Sequence, residues 1–251
     1  MKIIVSENSE ALGVKAAKAA ACRINAAIKA NGRARIILST GASQFDTLKA
    51  LVKEDIDWSK VEMFHLDEYI NLGDTHPASF IKYLRERFLA FVTPGKVTFV
   101  DTSKPLDVLF AELTAALNEA PVDLGLIGIG ENAHIAFNDP PADFNDPASY
   151  KVVKLDEACR NQQFGEGWFP TFDDVPKEAV SMTVSQIMKC THIISAVPYA
   201  VKANAVRDTL ANELTNMVPA TMLKTHPSWE LFIDKDSAAK ADPAVLEQFK
   251  A

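Results

Sequence analysis

The chain has 251 residues, 48% hydrophobic and 24% charged, proportions of a globular protein that exclude a disordered or fibrous one. Its 26 basic and 33 acidic residues give a formal charge of -7, which excludes a general field for nucleic acid or an anionic membrane. Cys22, Cys159 and Cys190 form no CxxC pair, which argues against a disulfide framework or a zinc site and for a reduced compartment.

The opening MKIIVSENSE has only a short apolar run, Ile3 to Val5, too little for a signal peptide. No 18-residue apolar stretch follows, so a cytoplasmic protein without a membrane span is expected. Lys2 to Val5 predicts a strand. Glu10 to Ala30, rich in Ala and Lys and closed by Gly32, predicts a helix. Strands are then expected at Arg35 to Leu38, Val61 to Phe64, Val97 to Val100 and Leu124 to Ile129, with helices between them at Ser43 to Val52, Pro77 to Phe91 and Pro105 to Asn118. Residues 139–172 are rich in Pro, Asp, Gly and aromatic residues without clean periodicity, and predict a long ordered loop or lid at a functional site. Strands at Ala179 to Thr183, His192 to Ala196 and Leu231 to Asp234 follow, with helices at Val184 to Met188 and Tyr199 to Leu210. The C-terminal DKDSAAKADPAVLEQFK reads as a polar linker and a short amphipathic helix without chemistry of its own. The alternation predicts one α/β domain over residues 1–251, a Rossmann-like sandwich with a mostly parallel central sheet and helices on both faces.

In such a sheet, ligands sit beyond the carboxyl ends of the strands. Three strand ends are unusual. Ile36-Ile37-Leu38 runs into Ser39, Thr40, Gly41, Ala42 and Ser43, small and hydroxyl residues before a helix that suit a phosphate; a plain serine cap explains them equally well in isolation. Val61 to Phe64 runs into His65-Leu66-Asp67-Glu68-Tyr69, where a carboxylate of raised pKa would serve as a base on carbon-bound hydrogen. Surface acids capping the next turn are the even alternative. Leu124 to Ile129 ends in Gly130-Glu131-Asn132-Ala133-His134 and reaches Asp139, gathering an imidazole, carboxylates and amides at one strand end. One local histidine without a cysteine or HExxH partner is no metal site. Gly128-Ile129-Gly130 lacks the third glycine of a dinucleotide fingerprint. Lys202, after the strand His192 to Ala196, has the reach to meet a phosphate as a point charge, although a solvated helix lysine is the commoner case.

Together LSTGASQFDTLKAL, FHLDEYINLGDTHPASF, GIGENAHIAFNDP, VPYAVKANAV and TMLKTHPSWELFID resemble, in order and across nearly the whole chain, the glucosamine-6-phosphate deaminase (isomerase) family, which shares its fold with 6-phosphogluconolactonases. Tyr69, where lactonases typically have arginine, and AHIAFNDP in place of a GHTASLFP-like sequence favour the deaminase side. The resemblance implies ring opening of an amino-sugar phosphate, proton transfer from carbon 2 to carbon 1, and hydrolysis to fructose 6-phosphate and ammonia, with no cofactor. It implies Asp67 as the proton-shuttling base, His134 as the ring-opening acid/base with Asp139 supporting it, and Ser39, Thr40, Gly41, Ala42, Ser43 and Lys202 at the phosphate.

The sequence departs from the family at three places. Asn132 stands where an acid usually precedes the histidine, so Asn132 is expected to orient the imidazole and Glu131 to supply the missing charge. Asp139 replaces the usual glutamate. The arginine of the family's Arg-Phe-Phe has no direct counterpart, which leaves Arg160 as its substitute at the phosphate and GEGWFPTFDD as a lid. Galactosamine 6-phosphate deamination, 6-phosphogluconolactone hydrolysis and a non-catalytic sugar-phosphate sensor are the alternatives. The expected partner is a small sugar phosphate rather than nucleic acid or membrane, and a homo-oligomer is left open.

Overall fold

The computed structural model describes residues 1–165 and 167–250. In chain order the elements are β1 (Lys2–Ser6), α1 (Ser9–Asn31), β2 (Ala34–Leu38), α2 (Phe45–Leu51), β3 (Val61–His65), β4 (Asp67–Tyr69), α3 (Phe80–Leu84), β5 (Lys96–Thr98), α4 (Leu106–Asn118) and β6 (Leu124–Leu126). They continue with β7 (Tyr150–Lys154), α5 (Glu157–Gly165), β8 (Glu178–Met182), α6 (Val184–Ile187), β9 (His192–Val197), α7 (Ala203–Ala211), β10 (Trp229–Asp234), α8 (Lys235–Ala238) and α9 (Pro243–Gln248).

The central sheet has seven strands in the order β1-β10-β9-β6-β2-β3-β5, every described pair being parallel. Both faces are covered, as parallel strands require. Alternation along β2 sends Ile36 and Leu38 into one core with α1 and α2 residues such as Ala16, Ala20, Ile24 and Leu48. Ile37 enters the other with Leu109 and Leu113 of α4 and Val206 of α7. The α1 termini follow cap chemistry: Asn8 accepts the Ala11 N–H, and Gly32 ends the helix at φ 74°, a conformation glycine adopts without penalty.

The expected Ala179 to Thr183 strand is β8, but it lies outside the central sheet. It forms the middle of a three-stranded antiparallel sheet, β4-β8-β7, with Asp67 paired to Ser181 and Tyr150 to Met182. The strand predicted to Ile129 stops at Leu126, and the expected Pro77 to Phe91 helix starts at Phe80, capped by Ser79, before a π-helical turn over Arg85–Leu89. Tyr199 cannot open a helix because its backbone sits at φ 80°, ψ 147°; a short turn over Ala200–Lys202 leads into α7. The stretch 139–172 contains β7 and α5 rather than loop alone, and Glu166 of the expected lid lies outside the described residues. Among the described residues no helix is long and apolar enough to cross a membrane.

Candidate active site

From β2 the chain winds outward through β3 to β5, then returns to β6 on the other side of β2 and winds through β9 to β10. The strand order therefore reverses between β2 and β6, the position where parallel sheets open a crevice at their carboxyl ends. Two contacts define its floor: the Ser39 N–H donates to the Leu126 carbonyl at 2.9 Å, and the Gly128 N–H donates to Ser39 Oγ at 3.1 Å. A cleft of about 200 Å³ lies above them, and its walls include Ser39, Thr40, Gly41, Ala42, Ser43, Asp67, Glu131, His134 and Lys202. Four separate strand ends thus converge on one space.

The Ser39 to Ser43 loop turns at Gly41, whose φ of 96° and ψ of 165° are open to glycine and strained for other residues. Tyr83 closes its outer side by donating to the Gly41 carbonyl at 3.0 Å. Across the cleft, Tyr199 holds a similar backbone conformation without being glycine. Its N–H donates to buried Asp234 at 3.0 Å, and its carbonyl accepts the Lys202 N–H at 3.0 Å. Strain of this kind persists where surrounding contacts over-determine it. Lys202 is buried against the cleft wall.

Asp67 and Glu68, neighbours in sequence, occupy different environments because successive strand residues point to opposite faces. Glu68 accepts from Ser79 Oγ and from the Ile81 N–H, both at 2.9 Å, and so anchors the start of α3 from inside the protein. Asp67 lines the cleft. Burial, and next the charge of Glu68, push its pKa from 3.8 up to about 8. Tyr150, beneath, donates to the His65 carbonyl at 2.6 Å.

His134 follows a tight turn in which the Gly130 N–H donates to the His134 carbonyl at 2.9 Å and Ala133 takes a left-handed φ of 63°. The imidazole folds back over Gly130, where a Cβ would lie 2.3 Å from the ring. Its Nδ1 lies 3.0 Å from Asp139 Oδ1, close enough for charge attraction although the N–H is not aligned with the oxygen. Burial works against Asp139 ionisation, but His134 and the Asn132 amide outweigh it and hold its pKa below the usual carboxylate value. Buried Asn138 donates to the Ile135 and Met182 carbonyls at 2.9 and 2.8 Å and ties this loop to β8.

Asn132 does not touch the imidazole. Its Oδ1 accepts the His134 N–H at 3.2 Å and its Nδ2 donates to Asp139 Oδ1 at 2.9 Å, so it aligns the acid that faces the ring. Glu131 is exposed at the cleft wall, and no ion pair joins it to His134 among the described residues. Arg160 corrects the expectation placed on it. Its guanidinium donates to the Phe172 and Val175 carbonyls at 2.9 and 3.2 Å and stacks on the Phe172 ring, where it braces the 139–172 segment away from the cleft. The same helix instead brings Gln163 to the cleft wall, a residue the sequence reading missed, as it missed Tyr199. A glutamine in a stretch without clean periodicity carries no signal, and no sequence rule places a tyrosine at positive φ. Among the described residues no group of three or more His, Cys, Asp or Glu side chains could hold a metal ion.

Residues 7–231 match the sequence family described as glucosamine-6-phosphate isomerases/6-phosphogluconolactonase. The glucosamine-6-phosphate deaminase of Staphylococcus epidermidis is 34% identical, over 87% of this chain and 92% of its own. That of Bacillus cytotoxicus is 30% identical over 100% of this chain and 93% of its own. Among solved structures, a monomeric glucosamine-6-phosphate deaminase superposes with a TM-score of 0.87 at 28% identity, covering 96% of this chain and 100% of that one. The Trypanosoma brucei 6-phosphogluconolactonase, at 18% identity and a TM-score of 0.75 over 96% of this chain and 98% of that one, shares the fold. By sequence and by structure, the chain belongs to the glucosamine-6-phosphate isomerase/6-phosphogluconolactonase family.

Proposed function

We propose that the protein is a glucosamine-6-phosphate deaminase, converting glucosamine 6-phosphate and water to fructose 6-phosphate and ammonia. The observation that carries this reading is the buried, raised-pKa Asp67 in the same cleft as His134 with its Asp139 partner. Relatives of at least 30% identity that are deaminases support it over the lactonase alternative, since the lactonase likeness, at 18% identity, extends to fold alone.

In this reading the Ser39 to Ser43 loop and Lys202 hold the phosphate, which orients the sugar across the cleft. His134 takes the proton of the anomeric hydroxyl and delivers it to the ring oxygen, and Asp139 stabilises the imidazolium formed in between. Asp67 removes the carbon 2 proton and returns it to carbon 1. Water then adds at carbon 2 of the resulting imine, and the carbon–nitrogen bond breaks to release ammonia. A base with a pKa near the operating pH is suited to both taking and giving back the proton. The 139–172 segment acts as the lid, with α5 as its cleft-facing part.

The test is incubation of purified protein with glucosamine 6-phosphate, galactosamine 6-phosphate and 6-phosphogluconolactone, following ammonia and ketose phosphate or acid release. Ammonia from the first substrate should fall about 10³-fold or more in Asp67→Asn, with the fold retained by circular dichroism. Acid release from the lactone alone, or undiminished turnover by Asp67→Asn, would sink the proposal.

A further inference from the structure

Gln163 is 7% exposed on α5, yet it reaches the cleft wall. Its Oε1 accepts the Tyr69 hydroxyl at 2.6 Å, a contact buried on both sides. A primary amide has one acceptor end and one donor end, and Tyr69 occupies the acceptor end. The amide nitrogen has no protein acceptor among the described residues. It is not a sealed orphan either, so it keeps access to the space its residue lines. A buried amide with one end pinned and the other left without a protein acceptor at a cleft wall is a recognition group for an acceptor on a ligand.

Its position selects which acceptor. Gln163 shares Gly41, Ala42 and Phe80 with a small pocket of about 70 Å³ that adjoins the cleft on the side of the Ser39 to Ser43 loop. Charge points the same way. Among the described residues lining the cleft, Lys202 is the one lysine or arginine, and Glu131 is also present; the adjoining pocket adds Glu86 and Arg87, the latter stacked on the Phe45 ring. Arg160 is engaged elsewhere. A phosphate monoester carrying about -1.5 to -2 charge has more acceptor positions than one cleft lysine fills, which leaves oxygens for neutral donors.

We propose that Gln163 is a substrate-binding residue that donates to the phosphate of the bound sugar, and that Tyr69 is a positioning residue that fixes the donor end of the amide toward it. The proposal rests on the sugar-phosphate reading above and adds an orientation to it. With its oxygen held by Tyr69, the amide presents its N–H end, which donates to a phosphate oxygen and offers little to the substrate's ammonium, so it turns the phosphate toward α5 and leaves the amino end for Asp67 and His134. Tyr69 lies two residues after Asp67 on β4, so one strand carries both the base and the clamp on the amide.

Three variants test it: Gln163→Glu, which keeps shape and the acceptor for Tyr69 but sets a carboxylate against the phosphate; Gln163→Leu; and Tyr69→Phe. Two readouts are taken, ammonia release from glucosamine 6-phosphate and calorimetric binding of glucose 6-phosphate, which has the phosphate but no amine. Gln163→Glu should raise KM about tenfold or more while kcat stays within threefold, and should weaken glucose 6-phosphate binding to the same degree, because the lost bond is to a charged group. Gln163→Leu should lose somewhat less. Tyr69→Phe, which frees the amide to rotate, should lose least and should lose it in KM. Binding by Gln163→Glu within twofold of wild type, a loss confined to kcat, or no glucose 6-phosphate binding by the wild type would each overturn the proposal. Wild-type protein that releases no ammonia, but binds glucose 6-phosphate more tightly than Gln163→Glu does, would remove the deaminase reading and leave the phosphate contact standing.

Discussion

Asp67 differs from Glu68 in what reaches it. Glu68 keeps hydrogen bonds from Ser79 and Ile81 in the interior, whereas burial and the Glu68 charge dominate Asp67 and raise its pKa from 3.8 to about 8. The folded protein therefore binds a proton at Asp67 more tightly than the unfolded chain does. Folding gains from that proton at low pH and loses the gain as pH rises from 3.8 to about 8, since stability falls with pH wherever the native state holds more protons. Asp67→Asn should accordingly melt at a higher temperature than wild type, by a margin that widens between pH 5 and pH 8.5. Paired thermal melts at those two values check it, and an identical margin at both would contradict the burial argument. Activity has the opposite slope, because the proposed base works as the carboxylate. The kcat/KM profile should climb toward about pH 8, read from a pH series at low substrate.

At the scale of elements, the chemistry depends on strand ends that stop early. β6 ends at Leu126, and Gly130 leaves room for the His134 ring where a Cβ would come within 2.3 Å of it. Gly130 has no positive φ, so Gly130→Ala tests the space alone. It should displace the imidazole and cut kcat/KM about 10²-fold, with the melting temperature moving little; unchanged kinetics would mean that the ring does not work from this position. The same strand ends explain what could be read in advance. Buried parallel strands such as β2 and β9 announce themselves as apolar runs, and their endings delivered Ser39 to Ser43, Asp67, His134 and Lys202 to one cleft. The small sheet was not legible. β4 is only Asp67–Tyr69 and begins with two acids, while β7 alternates buried and open positions within a Pro- and Asp-rich stretch. Arg160 and Gln163 show a further limit. Both lie on α5, but the backbone carbonyls of Phe172 and Val175 capture the arginine, and only the folded segment reveals them.

Across the whole molecule, stability and chemistry occupy opposite ends of the sheet. At the amino end, Arg35 is almost wholly buried, and its guanidinium donates to Glu62 at 2.7 Å on the neighbouring strand β3. It also donates to the carbonyls of Ala116, Leu117 and Ala120 at the end of α4. Glu62 in turn pairs with Lys96 of β5 at 2.8 Å. One arginine thus closes the last turn of a helix and joins three strands, at the other end of β2 from Ser39, roughly 13 Å away along an extended strand. Arg35→Met would take a donor from three helix-end carbonyls, of which that of Ala116 keeps the Glu119 N–H, and would leave a buried carboxylate held by a half-exposed lysine alone. Breaking a buried pair in this way costs about 3–5 kcal/mol, and at this chain length each kcal/mol lowers the melting temperature by roughly 2–4 °C. The variant should therefore melt about 10 °C lower while kcat and KM at 25 °C stay within twofold of wild type. Thermal melts together with steady-state kinetics check both halves. A changed KM in a variant still folded at 25 °C would mean that the amino end of β2 sets the geometry of the phosphate loop at its carboxyl end, and that the two ends act as one unit.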